Sequence, residues 1–191
     1  MTITAVDTQS LTAEATAVLA AMPGVSYETF LAAAPSLPGV VAVVAGDAAR
    51  AALGLPAEHT GLLAVTAAPH GLRDRDVRVA FQSGRTGASQ LRQAFAALLA
   101  GELGLDVERT SPGAAGAGFA LTPESEETLT AWMREHLTLR AWVAQDASAL
   151  EGVAREVAAD LAPALQPGAL EAPVAQRVAA MRASARRSAT L

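Results

Sequence analysis

The chain has 191 residues and a mass of 19.4 kDa, enough for one ordinary domain with a sizeable core. Its 14 cations are all arginines and the formal net charge is −5, which argues against a surface coated throughout by nucleic acid and leaves only a local basic face. With no cysteine, disulfides, thiolate metal sites and a Cys nucleophile are excluded.

Alanine makes up much of the hydrophobic content, which favours helix because Ala loses no side-chain rotamer entropy there. The first 22 residues have no basic segment ahead of an apolar run, so no signal peptide is expected. No uncharged apolar run approaches the roughly 18 residues of a membrane-spanning helix. The expected setting is the cytoplasm, with no membrane partner.

Ser10 is positioned to cap a helix from Leu11 to Met22, ended by Pro23-Gly24, and Ser26 to start a short helix that stops before Pro35. Val40 to Ala45 is a β-branched run bounded by glycines and predicts a buried strand. Asp47 caps a short helix to Leu53 in this reading, and Gly61 to Thr66 forms the next strand. An arginine-dense segment follows, in which Arg73, Arg75 and Arg78 alternate with Asp74 and Asp76. It reads either as a cationic face or as a self-neutralising surface. A Ser83-Gly84-Arg85-Thr86-Gly87 turn leads into a helix capped by Thr86 or Ser89 and running to about Leu99. The turn lacks the lysine of a phosphate-binding P-loop.

Gly101 to Gly118 reads as loop, and Phe119 to Leu121 as a brief strand. Thr122-Pro123-Glu124 is a strong helix start: a capping hydroxyl, Pro at the first helical position and carboxylates near the positive end of the dipole. That helix carries Leu129, Trp132, Met133 and His136, with Glu124, Glu126 and Glu127 read as a helix-start charge cluster of no functional meaning. His136 beside Trp132 reads as a packed residue; His59 and His70 show no ligand-like spacing. Thr138 to Ala144 is a strand, and Asp146 caps a helix from about Ala147 to Leu161. The segment from Pro173 is a basic amphipathic helix, read as weakly docked with a frayed end in preference to a nucleic-acid contact.

Taken together, these segments resemble the GIY-YIG endonuclease domain, in particular a bacterial branch of unassigned role. Pro38-Gly39-Val40-Val41 is similar to the first motif of that family, and Leu63-Ala64-Val65-Thr66 stands where the second belongs. Arg75 matches the arginine of the following helix. Leu150-Glu151, followed by Leu161, Pro163 and Leu165, matches the helix bearing the metal-binding glutamate. The stretches SGRTGASQLRQAFAALL and LTPESEETLTAWMREHL resemble the same branch, so the likeness covers about Pro38 to Gln166. It implies an α/β (α+β) fold, a small antiparallel three-stranded sheet with packed helices. Added helices are expected at the N-terminus, in a central insertion and at the C-terminus. The division would be a helical extension over 1–36, a GIY-YIG-like domain over 37–166 and a basic tail over 167–191.

The resemblance also shows what has been lost. Val41 and Ala64 stand where the family has tyrosines, and Gln166 where it has a terminal asparagine. Thr66 replaces a glycine and Ala67 a basic residue. Valine and alanine have neither a titratable proton nor a donor, so they cannot act as general base or orient a water. A lone Glu151 is a weak Mg²⁺ site, since that ion normally takes one or two carboxylates plus substrate phosphate.

The expectation is therefore a non-catalytic DNA-binding protein, in repair or genome maintenance, with no cofactor and with Arg73, Arg75, Arg78, Arg85 and Arg92 as the phosphate-contacting cations. The alternatives are a scaffold or homo-oligomerisation module, and a metal-dependent endonuclease that keeps Arg75 and Glu151, binds Mg²⁺ at Glu151 and uses a substitute base.

Overall fold

The computed structural model describes residues 5–73, 75–108 and 119–187. Three strands form one antiparallel sheet in the order β2-β1-β3: β1 is Gly39–Ala45, β2 is Leu62–Ala68 and β3 is Leu137–Val143. The central strand explains the sequence that builds it. Every residue of β1 is buried, so the run of valines needs no polar alternation. Val41, Val43 and Ala45 face one core, Val40, Ala42 and Val44 the other. Burying each valine contributes about 1.5–3 kcal/mol. A register shift between Val43 and Val44 inserts one extra residue into β2, so Leu63 and Ala64 both join the first core.

The two faces are covered by different helices. Helix α1 (Ala5–Ala21) and α7 (Leu150–Leu161) close the second core with Ala15, Leu19, Val153 and Val157. The first core is closed by α2 (Tyr27–Ala33), α4 (Arg75–Ala80), α5 (Gln90–Leu103) and α6 (Pro123–His136). The short α3 (Asp47–Ala52) follows β1, and α8 (Ala172–Arg187) lies along α5. Both sheet edges are partly occupied. Val25 exchanges backbone hydrogen bonds with Leu139 of β3. On β2, the Gln166 side-chain amide donates to Val65 O and accepts from Val65 N–H, each at 2.9 Å, in place of a neighbouring strand.

All three strand expectations hold within one or two residues, as do the Ser26 and Thr122 caps. Of the two capping candidates before α5, Ser89 is the cap; the helix extends past Leu99 to Leu103, where Gly104 closes it in the left-handed conformation.

Other boundaries differ. Ser10 lies inside α1 and caps nothing; the helical register simply continues upstream through Ala5. Gly46 rather than Asp47 is the N-cap of α3, and Asp47 instead pairs with Arg50 at 2.6 Å. Asp146 accepts hydrogen bonds from the amide and hydroxyl of Ser148, forming a local turn, so α7 begins only at Leu150. The brief strand is a single bridge between Val107 and Leu121. Helix α8 buries Val178 and Ala185 against the first core, at 3% and 1% exposure, so it is docked rather than loosely attached. Residues 109–118 of the expected loop lie outside the described residues.

Candidate functional site

The candidate site is built around Tyr27, the first residue of α2, where Arg134 of α6 makes contact. The Tyr27 ring stacks on Phe81, with centroids 4.9 Å apart and planes 12° from parallel. The Arg134 guanidinium of α6 lies over the same ring, 5.0 Å from its centroid, a cation–π contact. Arg134 also donates from Nε and Nη2 to the Phe81 carbonyl, at 3.3 and 3.1 Å. Burial raises the Tyr27 hydroxyl pKa, while the positive charges of Arg134 and then Arg78 pull it back down. Contact geometry places only Arg134 on the ring; Arg78 on α4 acts on the hydroxyl through its charge, and the Glu28 carboxylate acts in the opposite sense. Arg78 and Arg134 are exposed, and among the described residues neither forms an ion pair with a carboxylate.

The other expected cations are placed differently. Arg73 is exposed, but its guanidinium donates to Ala34 O and, at 3.0 Å, to Ala32 O, completing the C-terminal end of α2. This is a favourable seat for a cation at the negative end of a helix dipole. Arg75 opens α4, and its side chain lies outside the described part of the structure. Arg85 is exposed in the turn before the 3-10 segment Thr86–Ala88.

Arg92 is a correction. It is 0% exposed, and its Nη2 meets Glu126 Oε2 at 2.6 Å, with further bonds to Thr86 Oγ1, Thr130 Oγ1 and Ala80 O. A buried guanidinium with its donors engaged cannot also meet a phosphate. Burial lowers the Arg92 pKa and the Glu126 carboxylate opposes that shift. The same finding sets Glu126 apart from the helix-start charge cluster, since it is 3% exposed. A signal was available: Glu126 precedes Met133 by seven residues and so shares its core-facing stripe.

Glu151 sits in the first turn of α7, over the second core, whereas Val77 and Phe81 on and beside α4 pack into the first. The sheet thus separates the helix that bears Glu151 from the one that bears Arg75. Val41 and Ala64 are 2% and 0% exposed and serve as packing. Glu151 is exposed and lines a groove of about 1020 Å³ with His59, Arg155 and Gln166. His59 Nδ1 accepts the Gly61 N–H at 3.0 Å, which leaves Nε2 as the protonated nitrogen of the neutral ring. Among the described residues, no three His, Asp or Glu side chains are grouped to hold a metal ion. As expected, His136 packs on Trp132, with ring centroids 5.1 Å apart.

No family model, curated protein or solved structure matches the chain. Among the described residues, no helix is long and apolar enough to cross a membrane.

Proposed function

We propose that this is a non-catalytic DNA-binding protein on a degenerate GIY-YIG-like fold, acting in repair or genome maintenance. It would hold phosphates through Arg78 and Arg134, with Arg75 and Arg85 at the flanks. The observation that carries this reading is the exposed Arg134 guanidinium 5.0 Å from the Tyr27 ring centroid, with exposed Arg78 on α4 and, among the described residues, no carboxylate ion-paired to either. Arg134 uses Nε and one Nη2 N–H on the Phe81 carbonyl, so its Nη1–Nη2 edge is the fork left for phosphate oxygens. Against the net charge of −5, binding is local and modest, in the micromolar range typical of contacts without base readout.

Fluorescence anisotropy of a labelled duplex across a salt series tests this. Each phosphate neutralised contributes about −0.9 to the log–log slope, so two to three contacts give a slope of about −2 to −3. Replacing Arg78 and Arg134 together by Ala should flatten the slope by about two, with helicity unchanged. A wild-type protein that fails to bind at low salt, or a double variant that binds as before, would sink the proposal.

The nuclease reading is tested beside it, with the Glu151 groove as its seat. Duplex, nicked and branched DNA should all survive Mg²⁺ or Mn²⁺ with stoichiometric protein. Cleavage abolished by Glu151→Ala would restore it.

The scaffold reading draws on a separate observation. Leu37 and Val143 are 50% and 42% exposed, and the pairing of Gly39 with Val143 places them at one end of the sheet. Sedimentation analysis of wild type against a Leu37→Ser, Val143→Ser protein tests it. A stable dimer lost in the variant, without any DNA binding, would put this reading first.

A further inference from the structure

Thr86 uses each of its polar groups inside the protein. Its N–H donates to Glu126 Oε1 at 3.0 Å, its Oγ1 accepts from Arg92 Nε at 3.2 Å, and its carbonyl accepts from Gln93 Nε2 at 3.2 Å. It is 0% exposed, while Arg85 immediately before it is exposed. The Arg92 guanidinium that holds Thr86 also bonds Ala80 O at 3.1 Å, at the end of α4, and Glu126 and Thr130 on α6. One buried side chain thus joins the three elements bearing Arg78, Arg85 and Arg134. Gln93 is fixed in turn by Arg182 of α8, at 2.8 Å. The cavity beside Ser83 and Gly84 is lined by Glu108, Glu126 and Glu127, so the turn is no anion cradle. What it can offer a phosphate is the Arg85 side chain.

We infer that Thr86 and Arg92 are positioning residues, which hold Arg85 at a preset place relative to Arg78 and Arg134. The inference rests on the proposed DNA binding and deepens it. A guanidinium on a fixed turn loses less conformational freedom when it engages a phosphate than one on a mobile loop. Arg92 therefore contributes to binding without touching the ligand.

The test is a double-mutant cycle in the full chain, read by the salt slope of duplex binding, with circular dichroism and the thermal midpoint as fold controls. Arg85→Ala should lower the slope by about one. Thr86→Val should produce a similar loss while remaining folded, and adding Arg85→Ala to it should change little more. Thr86→Ser, which keeps the hydroxyl, should restore the slope. If Thr86→Val does not fold, Gln93→Ala, which removes the carbonyl anchor together with the Arg182 contact, takes its place in the cycle, with Arg182→Ala as the control for that contact. Additive losses, or a folded anchor variant with the wild-type slope, would overturn the inference and leave the DNA reading standing. A wild type that binds no duplex would remove both.

Discussion

Replacing Glu126 by Ala should be among the most damaging single changes in this protein. It removes the carboxylate that meets Arg92 at 2.6 Å, where the two side chains are 0% and 4% exposed. Leaving one partner of a buried pair without its counter-ion costs about 3–5 kcal/mol. The Thr86 amide loses its acceptor as well, a further 1–3 kcal/mol or so if no water replaces it. Because the space left by the side chain can admit water to both groups, the sum is an upper bound, and about 4–6 kcal/mol is expected. For a chain of this length that lowers the midpoint by about 10–20 °C. Urea unfolding followed by tryptophan fluorescence measures it, since Trp132 lies on the same helix. Replacing both partners, Arg92→Met with Glu126→Leu, should recover the part due to the uncompensated charge while leaving the Thr86 amide and hydroxyl without their partners. A loss under about 1 kcal/mol for Glu126→Ala, or a paired replacement worse than the single one, would refute the reasoning.

Gly39→Ala should destabilise by about 2–4 kcal/mol, because the added Cβ would stand 2.2 Å from the Trp142 carbonyl oxygen, a backbone atom in the paired strand; thermal unfolding shows it. Ala162 closes α7 at φ +46°, and Ala162→Gly should stabilise by about 0.5–1 kcal/mol, raising the midpoint by a few degrees. Tyr27 is the chain's one tyrosine, and burial raises its pKa from 10.0. A raised folded-state value means its contribution is complete below the unfolded pKa and is lost as pH climbs through the folded one. Phenolate absorbance should therefore appear later in the folded protein than in urea, and Tyr27→Phe should reduce the loss of stability above pH 10. Coincident folded and unfolded titrations would contradict the burial.

Much of the fold was legible from local pattern. Val40 to Ala45 has the composition of a strand buried on both faces, and Thr122-Pro123 has the chemistry of a helix start; each signal acts within a few residues, and each element forms where expected. Signals that depend on what lies opposite were not legible. Asp146 could equally cap a helix or close an Asx turn, and the Ser148 hydroxyl and amide decide for the turn. Arg92 and Glu126 carry the charges of surface residues, and only the packing of α5 against α6 reveals that the two neutralise each other in the core. Arg134 was not among the expected cations, because nothing within its own helix indicates that Tyr27 lies beneath it.

The sequence by itself determined the three strands, most of the helices and the absence of tyrosines at positions 41 and 64. Those properties follow from side-chain shape, hydrophobic period and residue chemistry, which need no partner. The tertiary structure alone decided which arginines remain exposed, which are used to close a helix or a core, and that α4 and α7 cover opposite faces of the sheet. A charge is the same in any sequence context, but its desolvation and its neighbours are set by elements far along the chain, and these determine whether it meets solvent or a buried carboxylate.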